Sequence, residues 1–230
     1  MKKTLLTAAF AALALSAAQA ANIAWTNITG YEAGTLGTLP NGAHIAPGFQ
    51  PGGSQAGVLR VIASFTSSGD NYSGSLLSFG DDENGHATSS PTVWMRDGIL
   101  HLGIGDADAH TTKDDSIAQL LDGEKHELAL AVERTTNGRM NASLFVDGVE
   151  IYTITNAPVS SGDWWVYKFV LGNKVSMNEA ANGIAFEDFE VAYAQATIDD
   201  LRQTYSIPEP TALALLALGV AGVALRRRVA

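Results

Sequence analysis

The residues best suited to chemistry in this chain are tryptophans that stand beside polar side chains. Trp94 is followed closely by Arg96 and His101 in the segment VWMRDGILHL, and Trp164 belongs to the segment DWWVYKFVLG. An indole face packs against the C–H groups of a pyranose ring, while polar neighbours hydrogen-bond to its hydroxyls. These four residues are the predicted contacts for a glycan. The alternative is that loops cover both tryptophans, which then only fill the fold.

Two loops gather oxygen ligands of the kind that calcium prefers. The first, GDDENG, contains Asp81 and Asp82, and the second, GDADAHTTKDD, contains Asp106 and Asp108. Neither has the glycine and terminal glutamate of an EF-hand loop. The sequence therefore permits a calcium site without requiring a cofactor. The alternative is that both are polar loops that keep a sheet edge soluble.

Catalytic groups are harder to find. Glycoside hydrolysis needs two carboxylates that face each other across the sugar, roughly 5–10 Å apart. The nearest arrangement is Glu187-Asp188-Phe189-Glu190, where strand alternation places Glu187 on the face opposite Asp188 and Glu190. The histidines are scattered without the spacing of a zinc site, and no Ser-His-Asp arrangement can be identified. We therefore predict that the protein is not an enzyme.

The strands that position Trp94 and His101 form a predicted hairpin. Asp97-Gly98 favours a two-residue type I′ turn. This turn pairs Trp94 with His101 and Arg96 with Ile99, and the four residues then share one face of mixed polarity. The opposite face is predicted to enter the core; it carries Val93, Met95, Leu100 and Leu102.

A second Asp-Gly pair, Asp147-Gly148, predicts another hairpin in SLFVDGVEIY. Strict alternation along its strands gives an inner and an outer face. The predicted inner residues are Leu144, Val146, Val149 and Ile151. The predicted outer residues are Ser143, Phe145, Glu150 and Tyr152.

Short apolar segments recur along the chain between clusters of Gly, Asn, Asp and Ser, a pattern typical of an all-β, two-sheet antiparallel sandwich. A short helix is predicted after the last strand, capped by Thr197, with Ile198, Leu201 and Tyr205 on one face. The predicted strands are Val58–Phe65, Ser75–Phe79, Thr92–Arg96, Ile99–Ile104, His126–Arg134, Ala142–Val146, Val149–Ile154, Trp164–Leu171 and Gly183–Ala192.

Both ends of the chain have the composition of targeting segments. Residues 1–20 combine Lys2 and Lys3, an apolar stretch and Ala18-Gln19-Ala20, as in a secretory signal peptide. Near the other end, Thr211–Leu225 carries no charge and would reach about 22 Å as a helix, a marginal length for a membrane span. The arginines that follow are expected to stay cytoplasmic. Residues 21–206 are then the one exported domain.

The charge of that domain limits its partners. The whole chain has 14 Lys and Arg against 24 Asp and Glu, for a formal net charge of −10. Residues 21–206 keep nine of the basic and 23 of the acidic residues, which gives −14. Such a surface argues against nucleic acid or anionic membranes as partners. Because the chain has no cysteine, its stability cannot depend on disulfides.

The last 24 residues, 207–230, resemble a PEP-CTERM sorting signal. Pro208-Glu209-Pro210, an apolar helix and the terminal basic cluster occur in the order of that family; the basic residues are Arg226, Arg227 and Arg228. The resemblance implies that an exosortase processes the protein near the Pro-Glu-Pro motif. It also implies transient anchoring in the inner membrane and release to the cell surface or extracellular matrix.

The body of the chain resembles the LamG-like, concanavalin A-like jelly rolls over about residues 58–205. The resemblance is carried, in the family's order, by Phe65–Gly69, Ser75–Asp81, HELALAVE, SLFVDGVEIY and FEDFEVAYAQATIDDL. Where the family usually has Trp-His-His, this chain has Glu124-Lys125-His126. The resemblance implies a jelly-roll sandwich.

These observations together predict an exported, non-catalytic module that binds a glycan or extracellular polysaccharide. Two alternatives stay open. One is a structural or adhesion component of the matrix that binds other proteins, and the other is a glycoside hydrolase. An exposed tryptophan with polar neighbours would favour sugar binding, a dry apolar patch would favour assembly, and two facing acids would favour hydrolysis.

Overall fold

The fold is seen in a computed structural model, which describes residues 23–43, 56–67, 74–79, 91–96, 99–104, 107–110, 118–136, 138–159, 168–172 and 184–206. One compact unit, Ile23–Asp199, contains both sheets. The described part of a second unit is residues 200–206, which continue the one helix. The signal peptide and sorting segment predicted at the two ends lie outside the described residues.

The first sheet, sheet A, has six antiparallel strands in the described part of the chain. Their spatial order is β1, β12, β3, β8, β9, β10. The bounds are β1 Thr26–Ile28, β3 Ala56–Ser67, β8 Lys125–Thr136, β9 Arg139–Val146, β10 Val149–Pro158 and β12 Ile184–Ala194.

The second sheet, sheet B, also has six antiparallel strands among the described residues, in the order β2, β11, β4, β5, β6, β7. Their bounds are β2 Leu36–Thr38, β4 Gly74–Phe79, β5 Thr92–Arg96, β6 Ile99–Ile104, β7 Ala107–His110 and β11 Lys168–Leu171. Short 3₁₀ turns lie at Pro40–Gly42 and Ala118–Leu121, and helix α1 spans Ile198–Ser206. The predicted two-sheet antiparallel sandwich with a terminal helix is confirmed.

The core lies between the two sheets because each strand alternates apolar and other side chains. Sheet A contributes Leu59, Val61, Leu128 and Leu130 among others, while sheet B contributes the apolar face of the β5–β6 hairpin. Burial of these side chains from water is the main source of stability in a chain without disulfides. Each sheet has a second face, which points away from this core. We call it the outer face of the sheet.

The β9–β10 hairpin departs from the predicted alternation. Val149 pairs with Val146 and Glu150 with Phe145, but the register then shifts and Tyr152 pairs with Leu144. A β-bulge of this kind adds one residue to one strand and reverses the faces beyond it. The predicted faces of Ile151 and Tyr152 are therefore wrong. Ile151 is 37% exposed and Val149 59% exposed, whereas Tyr152 packs against the core.

Candidate functional site

The β5–β6 hairpin has the register predicted from its Asp-Gly turn. Trp94 pairs with His101 and Arg96 pairs with Ile99. The residues that alternate with these four along the two strands belong to the core, as predicted: Val93, Met95, Leu100 and Leu102. Because strand side chains alternate, Trp94 and His101 lie on the outer face of sheet B.

The rings of Trp94 and His101 are stacked. Their centroids are 5.0 Å apart and their planes are inclined by only 9°. That separation is close to the spacing between adjacent strands, about 4.8 Å. The two rings therefore stand side by side on neighbouring strands. His101 is buried at 8% exposure, while Trp94 is half-buried.

Buried polar side chains lie near this stacked pair. Five polar residues are buried in the described part of the chain, and four of them lie on strands of sheet B: Ser75, Ser78, Thr92 and His101. Ser75 pairs directly with Trp94, and Ser78 pairs with Thr92. Direct partners point to the same face, so all four lie on the outer face. Buried polar side chains therefore lie on the same face as the half-buried Trp94.

One buried hydroxyl in this group has unsatisfied hydrogen-bonding capacity. Ser75 Oγ is fully buried and has no hydrogen-bond partner among the described residues. Buried polar atoms are nearly always hydrogen-bonded in folded proteins, to protein, water or ligand. Ser75, Ser78 and Thr92 were missed at the level of sequence, because only strand pairing places them beside Trp94.

The structure describes less of the other two predicted glycan contacts, Arg96 and Trp164. Arg96 occupies a register position on the same outer face, two residues along β5 from Trp94; nothing further is described of its side chain. Trp164 lies outside the described residues. The structure thus brings together Trp94 and His101, and puts Arg96 on the same face.

The predicted calcium loops are described only in part. Asp81, Asp82 and Asp106 lie outside the described residues. Asp108 was expected in a loop, and this is corrected: it belongs to the edge strand β7, where it pairs with Gly103. The ladder with β6 extends through this segment and makes it a strand. The described side chains contain no group of three or more His, Asp or Glu that could hold a metal ion.

The acidic segment of β12 also differs from expectation. The register shifts between Glu187, which pairs with Ser64, and Glu190, which pairs with Ile62. Asp188 takes a left-handed conformation, with φ of 49°, at this bulge. Glu187 and Glu190 therefore share the outer face of sheet A, instead of lying on opposite faces as predicted. The Asp188 carboxylate forms an ion pair with Lys125 Nζ at 2.7 Å.

His126 lies between two carboxylates at the start of β8. Its Nδ1 is 2.8 Å from Asp147 Oδ2, and its Nε2 is 3.1 Å from Asp122 Oδ1. Burial lowers the pKa of His126, but the two hydrogen bonds and the attraction of both carboxylates outweigh it and raise the pKa above its ordinary value. A neutral imidazole donates from one nitrogen only, so both contacts are satisfied only when His126 is protonated.

A second tryptophan lies on the outer face of sheet A. The Arg60 guanidinium stands 4.2 Å from the centre of the Trp25 ring, and Arg60 Nη1 lies 3.9 Å from Glu127 Oε2. Sequence reasoning missed this cation–π pair because 34 positions separate its members. Trp25 is thus packed on a cation, whereas Trp94 is packed on an imidazole.

The fold and this face define an antiparallel β-sandwich with an aromatic and polar outer sheet face. Residues 206–228 match the family model described as the PEP-CTERM protein-sorting motif. The predicted sorting signal is confirmed by this match, and it marks a protein that is exported and sorted to the cell envelope or surface. Among the described residues, none of the helices has the length and apolar character needed to cross a membrane.

No curated protein matches the chain in sequence. Similar solved structures include the CBM40 of a Ruminococcus gnavus IT-sialidase bound to α2,3-sialyllactose, at 14% identity and a TM-score of 0.44, covering 77% of this chain and 94% of that one. Another is the binding domain of botulinum neurotoxin DC in complex with rat synaptotagmin II, at 10% identity and a TM-score of 0.43, covering 66% of this chain and 35% of that one.

A mutant Trypanosoma rangeli sialidase that displays trans-sialidase activity is similar at 12% identity and a TM-score of 0.43, covering 65% of this chain and 22% of that one. The chain therefore spans about a third of the neurotoxin chain and about a fifth of the sialidase. These distant likenesses concern the β-sandwich alone. The ligands and activities in their descriptions belong to those proteins.

Proposed function

We propose that this protein is a non-catalytic, lectin-like module that binds a glycan or extracellular polysaccharide at the cell surface or in the matrix. Exosortase would deliver it there after a transient stay in the inner membrane. The observation that carries the proposal is the half-buried Trp94, stacked on His101 and flanked by Ser75 on the outer face of sheet B. An aromatic ring beside hydroxyl-bearing side chains suits a ligand with both C–H faces and hydroxyls.

The polarity of this face favours sugar over protein assembly. Interfaces that hold proteins together have apolar centres. Here the residues around Trp94 are the buried polar ones, Ser75, Ser78, Thr92 and His101. A face with polar residues at its centre suits a hydroxyl-bearing ligand at the half-buried Trp94 better than the apolar centre of a protein partner.

The distribution of acids supports a non-catalytic role. Glycoside hydrolysis uses two carboxylates flanking the sugar. In the described strands of sheet B, Asp108 is the one acidic residue. Glu187 and Glu190 lie on sheet A, away from Trp94. A sugar held at Trp94 would therefore meet at most one strand carboxylate.

A second candidate function, a structural matrix component, is favoured by one feature. Val149 and Ile151 are exposed on β10, which is an edge strand of sheet A in the described part of the chain. Exposed apolar residues on a sheet edge can pair with another chain. The bulges in β10 disfavour such pairing, so this candidate ranks second.

A glycan array tests the proposal. The full chain, carrying its own signal peptide, is purified in mild detergent and screened against neutral and acidic glycans, with calcium and again with a chelator. We expect binding to a defined class of glycan that is lost in Trp94→Ala. Trp25→Ala is the matched control and should bind as the wild type does. Absence of binding by a folded protein would refute the proposal and favour the matrix component.

The chelator arm tests the calcium prediction separately. Loss of glycan binding in chelator, restored by added calcium, would support a role for the aspartate loops. Unchanged binding would show that the sugar is held without a metal ion.

A further inference from the structure

We propose that Asp122-Gly123 and Asp147-Gly148 are modification sites, at which aspartate isomerises to isoaspartate, and that His126 restrains the reaction at both. The sequence has three Asp-Gly pairs, of which the third is Asp97-Gly98. The two carboxylates that contact the His126 imidazole belong to the first two pairs. The inference concerns the stability of the chain toward covalent change, and it does not depend on the proposed function.

The reaction closes a ring between the aspartate side chain and the next backbone nitrogen. The glycine nitrogen attacks the aspartate Cγ and forms a C–N bond, while one carboxyl oxygen leaves as water with the amide proton and a proton from solvent. Water then opens the resulting succinimide at either carbonyl, which restores aspartate or joins the main chain through Cγ as isoaspartate. Glycine favours the attack because no Cβ stands beside its nitrogen.

Both aspartates are accessible to the water that the reaction uses. The Asp147 side chain is 50% exposed and the Asp122 side chain is 44% exposed. Asp147 and Gly148 connect β9 to β10 with left-handed φ angles of 48° and 77°. Surface turns of this kind open locally without unfolding of the sheet. The rate at each pair is therefore set by how firmly its carboxylate is held.

The carboxylate of Asp147 is held at both oxygens. Its Oδ2 is 2.8 Å from His126 Nδ1, and its Oδ1 accepts from the backbone N–H of Glu127 at 2.8 Å. Because ring closure expels one of the two oxygens, one of these contacts breaks whichever oxygen leaves. The backbone N–H of Asp147 also donates to the Glu127 carbonyl at 2.9 Å. Ring closure at Asp147 is therefore slowed by contacts that the intermediate cannot keep.

The carboxylate of Asp122 is held less completely. Among the described residues its contacts are at one oxygen: Oδ1 accepts from the backbone N–H of Glu124 at 2.8 Å and lies 3.1 Å from His126 Nε2. Departure of Oδ2 as water breaks neither contact directly. We therefore expect Asp122-Gly123 to isomerise faster than Asp147-Gly148 in the folded protein.

Isomerisation at position 147 would change the β9–β10 hairpin. Isoaspartate adds one carbon to the main chain between Asp147 and Gly148, and a two-residue turn sets the register of the strands it joins. The carboxylate that contacts His126 would also move to the α-carbon. His126 therefore protects the covalent structure of the turn that it contacts.

The test follows the three Asp-Gly pairs of the full chain during prolonged incubation at neutral pH. One sample is folded in mild detergent, and a second is unfolded in guanidinium chloride to give the unrestrained rates. Isoaspartate is located by mass spectrometry after digestion with a protease that cuts before aspartate but not before isoaspartate. We expect Asp147-Gly148 to react at least about tenfold more slowly in the folded chain, with Asp122-Gly123 between the two limits.

The His126→Phe variant keeps an aromatic ring and removes both contacts with the carboxylates. We expect it to raise the folded-state rates at Asp122-Gly123 and Asp147-Gly148 by about tenfold. Urea unfolding confirms that the variant is folded. If it is not, His126→Asn takes its place, because its shorter side chain cannot reach both carboxylates, and the same direction is expected.

Two controls separate the role of His126 from a general loosening of the fold. Lys125→Gln changes the neighbouring residue on β8, whose ammonium group contacts Asp188 instead, and should alter none of the rates. Asp97-Gly98, which lies between strands β5 and β6 of sheet B, is the internal control. Its rate should be the same in His126→Phe and in the wild type.

Each contrary outcome overturns a defined part of the inference. Absence of isoaspartate at both pairs, even in the unfolded chain, would refute the modification sites. Equal folded and unfolded rates at Asp147-Gly148 would refute the restraint. Wild-type rates in a folded His126→Phe, or an equal rise at Asp97-Gly98, would refute the role of His126. The glycan array tests the proposed function independently of all these results.

Discussion

His126 and Asp147 are joined by a hydrogen bond of 2.8 Å that ties strand β8 to the turn of the β9–β10 hairpin. The other oxygen of Asp147 accepts from the backbone N–H of Glu127 at 2.8 Å, and the N–H of Asp147 donates to the Glu127 carbonyl at 2.9 Å. Asp122 approaches the second nitrogen of the same imidazole. This clamp fixes the hairpin turn, and both of its histidine contacts are satisfied when His126 is protonated.

The clamp predicts that stability falls as the solution becomes alkaline. Because the pKa of His126 is raised on folding, its contribution is complete below the ordinary histidine pKa of about 6.5 and is lost as the pH rises through the folded value. Melting temperature measured from about pH 6 to about pH 8 should therefore decline in the wild type and decline less in His126→Asn. Identical slopes for both proteins would contradict the clamp.

Asp122 predicts how the stability contributed by the same clamp changes at acidic pH. Its pKa is lowered, first by the backbone N–H of Glu124 and then by His126. Its contribution is therefore present above the ordinary aspartate pKa and is lost as the pH falls through the lowered folded value. In Asp122→Asn the loss of stability on acidification should be smaller than in the wild type. An unchanged acid profile in thermal unfolding would contradict this assignment.

The bulge in β10 predicts opposite results for two isoleucines. Ile151 is 37% exposed and Ile154 only 8% exposed. Ile154→Ala should lower the free energy of unfolding by about 2–4 kcal/mol, while Ile151→Ala should change it by less than about 1 kcal/mol. Urea denaturation measures both. A large loss of unfolding free energy in Ile151→Ala would contradict the bulge, because it would indicate that Ile151 faces the core as simple alternation predicts.

Gly37 in β2 predicts a steric limit in sheet B. A methyl group at this position would overlap the Phe169 ring and lie 2.8 Å from Tyr31 Cε2. Gly37→Ala should therefore cost about 1–3 kcal/mol of unfolding free energy, as overpacking does. Urea denaturation measures this cost. A loss of less than about 0.5 kcal/mol for Gly37→Ala would contradict the close packing.

Glu133 predicts a link between the sheet and the start of helix α1. Its Oε1 accepts from Asn141 Nδ2 at 2.9 Å, and its Oε2 accepts from the backbone N–H of Ile198 at 3.3 Å. A carboxylate at a helix N-terminus satisfies a free N–H and the helix dipole. Glu133→Ala should lower stability by about 1–2 kcal/mol, whereas the exposed Glu187→Ala should not. Equal effects in urea denaturation would contradict the link.

Sequence reasoning succeeded where a turn sets the register. The Asp97-Gly98 pair led to the correct pairing of Trp94 with His101, because a two-residue turn allows only one register for the two strands it joins. It failed at the bulges near Ile151 and Asp188, since an extra residue reverses the faces and the period of two does not reveal it. It also missed the short strands β1, β2 and β7, whose existence depends on a partner strand.

The candidate site was predictable only in outline. Trp94 and His101 were identified from their types and spacing. Ser75 was not, because its position beside Trp94 depends on the pairing of β4 with β5, which are 12 residues apart in the chain. Which residues become neighbours on adjacent strands depends on how the strands pair, and the local sequence contains little information about that pairing.

A crystal structure of the protein with an oligosaccharide selected on the array would show directly where the sugar binds. We expect a pyranose ring against the indole of Trp94 on the outer face of sheet B. A sugar bound elsewhere, for example beside Trp25 and Arg60 on sheet A, would contradict the assigned site.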